Sequence, residues 1–312
     1  MTLDYVLPLR WTSDAGLPEL TGYLRWLAGQ ASVIVVDGSP PALFERHAAA
    51  WAGLCRHVPP QARPGRNGKV AGVLTGLALA SGDRVVLADD DVRHDAESLR
   101  AIERMLGHAD LVRPQNVFDP LPWHARWDTA RSLVNRALGA DYPGTFGLRR
   151  AALVGGYDGD VLFENLELIR TVHARGGREL VASGLGVRRV PPTAGHFWGQ
   201  RVRQAYDGFA QPARFAAELA VLPAVAVLLG CRARGLLAGV AAGVTVLAAT
   251  GRLRGDGRAL FGAGAPLWAP VWALERSVCA WLALGARLRG GARYAGTRLP
   301  VAAHSVRALR RS

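Results

Sequence analysis

"VVLADDDVRHD" (residues 85–95) runs four strand-forming residues, Val85, Val86, Leu87 and Ala88, straight into Asp89, Asp90 and Asp91. Like charges this close repel and raise one another's pKa values, so a carboxylate cluster at a strand end calls for a cation to sit on it. A divalent metal ion fits, because a hard cation takes oxygen ligands. Alternate residues of an extended chain point to opposite sides, which puts Asp89 and Asp91 on one face and turns Asp90 away.

Upstream the same pattern repeats. "YVLPL" (5–9), "SVIVVD" (32–37) and "RVVLAD" (84–89) alternate with helical segments around residues 17–28, 43–54 and 70–80. This alternation predicts an α/β fold with a mostly parallel sheet and helices on both of its faces. Ligands of such sheets bind beyond the carboxyl ends of the strands, where Asp37 and the Asp89–Asp91 cluster both fall and are expected to share one crevice.

The organisation changes near residue 210. Hydrophobic residues make up 50% of the 312 and charged residues only 20%, while the net charge is +13. From residue 231 onward thirteen arginines face only Asp256 and Glu275. This basic third also holds the longest apolar runs, at 215–230, 235–250 and 266–285. That pairing predicts a membrane-associated region with basic flanks. Nucleic-acid binding would interleave basic and stacking aromatic residues on a sheet, a pattern the sequence lacks. The first two runs reach roughly 24 Å each as helices, slightly short for a bilayer core, and suit a thin hairpin. Glu275 and Arg276 interrupt the third, which is expected as an interfacial helix or one packed in a bundle as readily as a free span. Helices buried in a soluble domain are the alternative for all three. Cys55, Cys231 and Cys279 match no metal or redox spacing. "MTLDYVLPLRW" has no basic leader and no long apolar core, so no signal peptide is expected and the N-terminal domain should stay cytoplasmic. The expected division is a catalytic domain over 1–210, membrane-associated helices over 211–290 and a basic tail over 291–312.

Six segments in order, "VIVVDGSP", "GRNGKVAGVLTGLALASGD", "VVLADDDV", "GTFGLRRAALVGGYDGD", "FENLELIRTVHARG" and "GQRVRQ", resemble those of family-two GT-A glycosyltransferases across roughly residues 3–205. "NGKVAG" and the apolar C-terminal third look most like the branch containing ceramide glucosyltransferases and bacterial hopanoid-type relatives. The resemblance implies a GT-A nucleotide-diphospho-sugar transferase fold. It also implies sugar transfer, with Mg²⁺ or Mn²⁺, from a nucleotide-sugar donor, expected to be UDP-linked, to a lipid or other membrane-bound acceptor at the cell membrane. Carried over, it implies that Asp37 holds the nucleotide base, that Lys69 lies near the nucleotide, that Asp89 faces the ribose or the metal, and that Asp91 coordinates the metal. Gln200 and Arg203 match a Gln-x-x-Arg-Trp motif in which the arginine grips the diphosphate, with Gln204 in place of the aromatic residue. His196, four residues earlier, is expected to join the metal or the phosphate.

"FENLEL" departs from the pattern in a second way. Asn165 stands where such enzymes carry the aspartate that serves as general base, and an amide cannot accept a proton as a carboxylate does. The role passes to Glu164, or to Glu167 one helical turn on. A polyprenyl-phosphate acceptor, already ionised, would need no strong base and is the alternative reading. A non-catalytic membrane scaffold that binds nucleotide sugar is the other.

Overall fold

The computed structural model describes residues 3–294 and 296–311. The first half alternates as the sequence predicts: β1 (Leu3–Leu9), α1 (Leu17–Leu27), β2 (Ser32–Asp37), α2 (Pro41–Trp51), β3 (Arg56–Val58), α3 (Gly68–Leu79), β4 (Arg84–Ala88), β5 (Val92–Arg93) and α4 (Ala96–Met105). There follow β6 (Leu111–Phe118), α5 (Trp123–Ala137), β7 (Thr145–Arg149), α6 (Glu164–Ala174), β8 (Glu179–Arg189) and α7 (Ala194–Tyr206). Eight strands form one sheet in the order β3-β2-β1-β4-β7-β6-β8-β5. The β3-β2-β1-β4 block is parallel, as is β6 with β8, whereas β7 and β5 pair antiparallel to their neighbours.

Strand periodicity places the two cores. Leu3, Tyr5, Leu7 and Leu9 of β1 bury on one face against Leu20, Leu24 and Leu27 of α1 and Leu99 and Ile102 of α4. Val6 turns to the other face, with Val73 and Leu77 of α3 and Leu168, Ile169 and Val172 of α6. Gly76 lets α3 lie close on the sheet, since a Cβ there would stand 2.2 Å from Cγ1 of Val6.

Two long apolar helices follow, α8 (Pro212–Gly230) and α9 (Arg234–Leu253). By length and composition both can cross a membrane, and only 6% and 11% of their apolar windows are buried. After the short α10 (Gly257–Leu260) comes α11 (Ala269–Leu288), which contains most of the third apolar run. Its polar face turns inward: Glu275 pairs with Arg201 of α7, and Arg276 is buried. The helix α11 packs against α5, α7, α8 and α9. Pro223 helps dock it. Proline has no N–H to give the carbonyl four residues back, and that carbonyl, on Leu219, instead accepts Trp281 Nε1 of α11 at 3.1 Å. Leu222 N–H meanwhile donates to Ser277 Oγ at 2.9 Å.

The helical region is built into the rest of the chain. Ala130, Leu133 and Val134 of α5 share a core with Ala248 of α9 and with Phe261, Ala269 and Trp272. A Cβ on Gly251 would lie 1.9 Å from the Leu133 carbonyl oxygen, so α9 crosses α5 at its glycine. The fully buried Arg136 donates from Nε to the Gly251 carbonyl at 3.0 Å and from Nη1 to the Ser183 carbonyl at 2.7 Å.

The basic segment after α11 folds back. Strands β9 (Ala292–Tyr294) and β10 (Thr297–Leu299) form a hairpin, and Leu162 and Phe163 donate their N–H groups to the Val301 and Ala302 carbonyls at 3.0 and 2.8 Å. The last short helix is α12 (Val306–Leu309).

Candidate active site

A cleft of about 530 Å³ opens beyond the carboxyl ends of β1, β2 and β4. The strand β4 delivers Asp89, Asp90 and Asp91 to it. Helix α3 delivers Lys69: the side chain of Asn67 caps the helix by accepting Lys69 N–H at 3.1 Å and is itself anchored on the Val161 carbonyl at 2.9 Å. Lys69 Nζ then stands 2.6 Å from Asp89 Oδ1 and 2.6 Å from Glu164 Oε1 at the start of α6. Burial alone would lower the Lys69 pKa, but the Asp89 and Glu164 carboxylates outweigh it and hold the ammonium well above its ordinary value.

A second protein cation meets the cluster from the far side of the sheet. Pairing of Val92 with Arg189 across β5 and β8 brings Arg189 Nε to 2.9 Å from Asp91 Oδ2, and Nη2 to 3.6 Å from Asp89 Oδ2. The cation that three aspartates demand is therefore supplied in part by Lys69 and Arg189. Burial pushes the Asp91 carboxyl up to about 6, with Asp89 and Asp90 adding to the rise and Arg189 opposing it. Asp91 Oδ1 is buried without a partner among the described residues. An acceptor-only atom in that state, beside Asp89, suits a divalent cation. Asp90 takes the other direction, accepting a hydrogen bond from Trp11 Nε1.

One face of α7 completes the cleft. His196, Gln200, Arg203 and Asp207 recur at steps of four, three and four residues, which is one stripe of a helix, and all four line the space. Gln200 Oε1 accepts from Arg203 Nη2 at 3.2 Å, and the Arg203 guanidinium lies over the Tyr294 ring at 5.4 Å. Gln204 accepts from the buried Arg201 at 3.1 Å. His196 stands at the first turn of α7 with much of its surface open, and partial desolvation of the ring, then Arg203, lowers its pKa.

Seven of the sequence-selected residues thus meet in one cleft: Lys69, Asp89, Asp91, Glu164, His196, Gln200 and Arg203. Two do not. Asp37 is 1% exposed, and its oxygens are held by His47 Nδ1 at 2.7 Å, His57 Nε2 at 3.1 Å and Ser39 N–H at 2.8 Å. Its neighbours Val36 and Gly38 line the cleft, whereas the Asp37 carboxylate braces the loop behind them and is not offered to a nucleotide base. Glu167 is fully buried; it accepts the His304 backbone N–H at 2.7 Å and His304 Nδ1 at 3.0 Å. It anchors the C-terminal segment and is not available as a base in the cleft.

Two residues escaped sequence reasoning. Nothing in "GVRRV" marks Arg189, whose role depends on the β5–β8 pairing. Asp207 was legible, because it extends the Gln200–Arg203 stripe by one turn. Burial pushes its carboxyl up to about 7, against the pull of Arg203 and with help from Glu164. The activity profile of the protein is therefore expected to inflect near pH 7 as Asp207 ionises beside Arg203, and Asp207→Asn is expected to remove that inflection. A profile unchanged by the substitution goes against this.

Asp37 carries a separate expectation about stability. Burial would raise its pKa, but hydrogen bonds from His57, Ser39 and His47 hold it down at about 2, against 3.8 unfolded. A lowered carboxyl pKa gives stability that is complete above the unfolded value and drains away as pH falls through the folded one. The loss is about 2 kcal/mol between roughly pH 5 and pH 2. Urea melts across that range should show it in the wild type and should show much less of it in Asp37→Asn.

No protein-family model and no curated protein matches the sequence. Among solved structures, the chain is similar to a mannosyltransferase from Pyrobaculum calidifontis in complex with GDP-Man and Mn²⁺, at 18% identity and a TM-score of 0.57, over 90% of this chain and 87% of the other. Also similar are S. aureus TarS in complex with UDP-GlcNAc (14% identity, TM-score 0.46, 64% and 61% of the two chains) and Mycobacterium tuberculosis glucosyl-3-phosphoglycerate synthase with Mn²⁺, UDP and glucosyl-3-phosphoglycerate (19%, 0.45, 65% and 77%). The first likeness, at this level of identity, is one of fold, and the fold is GT-A.

Proposed function

We propose that the protein is a metal-dependent glycosyltransferase that moves a sugar from a nucleotide-diphosphate donor to a membrane-borne acceptor. The observation that carries this reading is the make-up of the cleft: a carboxylate cluster at the end of β4, the Gln200–Arg203 stripe, and a wall continuing into exposed, apolar α8. Asp89 and Asp91 would hold the divalent ion, which supplies charge neutralisation on a diphosphate. Arg203 grips phosphate oxygens, and Lys69 holds the Asp89 and Glu164 carboxylates in place. The UDP-linked donor and the kinship with the lipid-modifying branch remain part of this proposal, supported by the sequence segments quoted above.

Glu164 separates two acceptor classes. If the acceptor presents a hydroxyl, Glu164 is the cleft carboxylate placed to take its proton, and Glu164→Gln is expected to lower turnover roughly 100-fold or more. If the acceptor arrives ionised, the loss is smaller and comes through the disturbed Lys69. Comparing kcat for the two proteins decides between them.

The arrangement at the membrane is part of the same reading. The segment after α11 is hydrogen-bonded to the start of α6, which supports placing both ends of the chain on one side, the cytoplasmic one. Two spans, α8 and α9, meet that requirement, with the Cys231–Arg234 connection on the opposite face. Cys231 is exposed there. A membrane-impermeant maleimide should label Cys231 on intact cells, while a cysteine placed at Ala308 should react only after permeabilisation. Labelling at Ala308 from outside would overturn the topology.

The test of the function itself is to supply radiolabelled nucleotide sugars and membrane lipid to the full-length protein with Mn²⁺. Label is expected in the lipid phase. Nucleotide-sugar binding without any transfer would favour the scaffold.

A further inference from the structure

From the aspartates the cleft continues past Asp207 into a recess walled by α5, the first two turns of α8 and the middle of α11. Arg131, Arg214 and Arg276 line it, and Gln211, Arg214 and Glu218 form the stripe that α8 contributes. Two of these arginines are engaged within the protein. Arg131 Nε pairs with Asp128 Oδ1 at 3.0 Å and its Nη1 stands 3.7 Å from Asp141; Arg214 pairs with Glu218 at 2.9 Å and donates to Asn135 Oδ1 at 2.5 Å.

Arg276 is different. It is 4% exposed, yet its side chain makes no hydrogen bond and no ion pair among the described residues, and its Nε is buried without an acceptor. Its guanidinium lies 5.7 Å from the Trp272 ring centre, which is its contact on the protein side. Of the acids around it, Glu275 is paired with Arg201 and Glu218 with Arg214, while Asp207, in the same cleft, attracts Arg276 without forming an ion pair with it among the described residues. A guanidinium carries five donors and a fixed charge, and leaving it buried with none of them paired is costly unless an anion enters the recess. Its planar fork matches a phosphate, on which it can place two parallel hydrogen bonds.

We propose that this recess binds the phosphate of a lipid phosphate monoester, with Arg276 as the principal contact and Arg131 and Arg214 as flanking cations, and that this lipid is the acceptor. The inference rests on the transferase reading above and names its acceptor class. The lipid source follows from the wall: the turns of α8 beyond Glu218 are apolar and largely unburied, so an alkyl chain attached to the phosphate has a surface to follow. The chemistry also closes. A phosphate monoester is ionised near neutral pH, with a second pKa of about 6. Its oxygen forms the new bond to the sugar's anomeric carbon while the bond from that carbon to the donor diphosphate breaks. The electron pair leaves with the nucleoside diphosphate, and no proton has to be removed. Asn165 at the position of a general-base aspartate is then no handicap.

The test is equilibrium binding to the full-length protein in neutral-lipid nanodiscs with Mn²⁺ and saturating UDP, using decyl phosphate, decanol and inorganic phosphate as probes. Decyl phosphate is expected to bind at least tenfold more tightly than either other probe, and Arg276→Gln to weaken it at least tenfold, with partial recovery in Arg276→Lys. UDP affinity serves as the folding control. Equal binding of decanol, or an undiminished affinity in Arg276→Gln, overturns the proposal. Inorganic phosphate binding as tightly as decyl phosphate overturns the lipid source, and decyl phosphate binding that appears only when UDP is left out overturns the acceptor assignment by giving the recess to the donor. If Arg276→Gln does not fold, the wild-type comparison of the three probes decides, together with Arg214→Gln. A protein that binds UDP but not decyl phosphate refutes this inference alone, whereas one that binds no nucleotide refutes the transferase reading.

Discussion

Asp91→Asn is expected to lower sugar transfer by roughly a thousandfold while leaving the fold intact. The size follows from what the carboxylate would do: it would hold the divalent ion that neutralises the leaving diphosphate, and losing such a preorganised positive charge costs factors of about 10² to 10³. The intact fold follows from the environment. Burial already pushes the Asp91 carboxyl up to about 6, so a neutral amide of the same shape suits the position. Arg189 keeps Asp89 within 3.6 Å when its closer partner is lost. Steady-state transfer with Mn²⁺ titrated over the millimolar range, alongside a thermal melt, tests both halves. Full activity in the variant, or in EDTA-treated wild type, removes Asp91 and the metal from the mechanism.

Arg201→Met is expected to be the most damaging substitution for stability. Arg201 is 1% exposed; its Nη1 lies 2.9 Å from Asp128 Oδ1, its Nη2 pairs with Glu275, and its guanidinium covers the Phe197 ring at 4.6 Å. It is the ionic link between α5, α7 and α11. Removing one member of a buried ionic group leaves its partners uncompensated and costs about 3–5 kcal/mol. Asp128 retains Arg131, but Glu275 is left without an ion pair among the described residues. The apparent Tm in detergent should fall by roughly 5–10 °C. Replacing both partners, Arg201→Met with Glu275→Gln, should recover part of the loss because no unpaired charge then remains. A Tm that does not move in the single variant would show that α11 docks through its apolar contacts and that the ionic link is dispensable.

Much of the architecture is local information and was readable as such. Strand period, helix period and the carboxylates at the end of β4 belong to short windows, so the α/β alternation and the crevice at Asp89–Asp91 can be read from residue spacing, whereas Gln200 and Arg203 came from the resemblance and Asp207, one helical turn on, was passed over. The apolar runs likewise identify α8 and α9 by length and composition alone. What a window cannot hold is the partner of a charge. Asp37 sits at the predicted strand end, but the packing of α2 and β3 gives its oxygens to His47 and His57. Glu167 has the spacing of a second catalytic acid, but its partner His304 lies 137 residues away and arrives only when the C-terminal segment folds back. Glu275 and Arg276 look alike in sequence, as two charges interrupting an apolar run. One is neutralised by Arg201, 74 residues earlier, and the other is left facing the cleft. Backbone periodicity is fixed by bond geometry within a few residues, whereas the fate of a buried charge is fixed by whichever groups tertiary packing brings within about 3 Å of it, and the sequence does not record that distance.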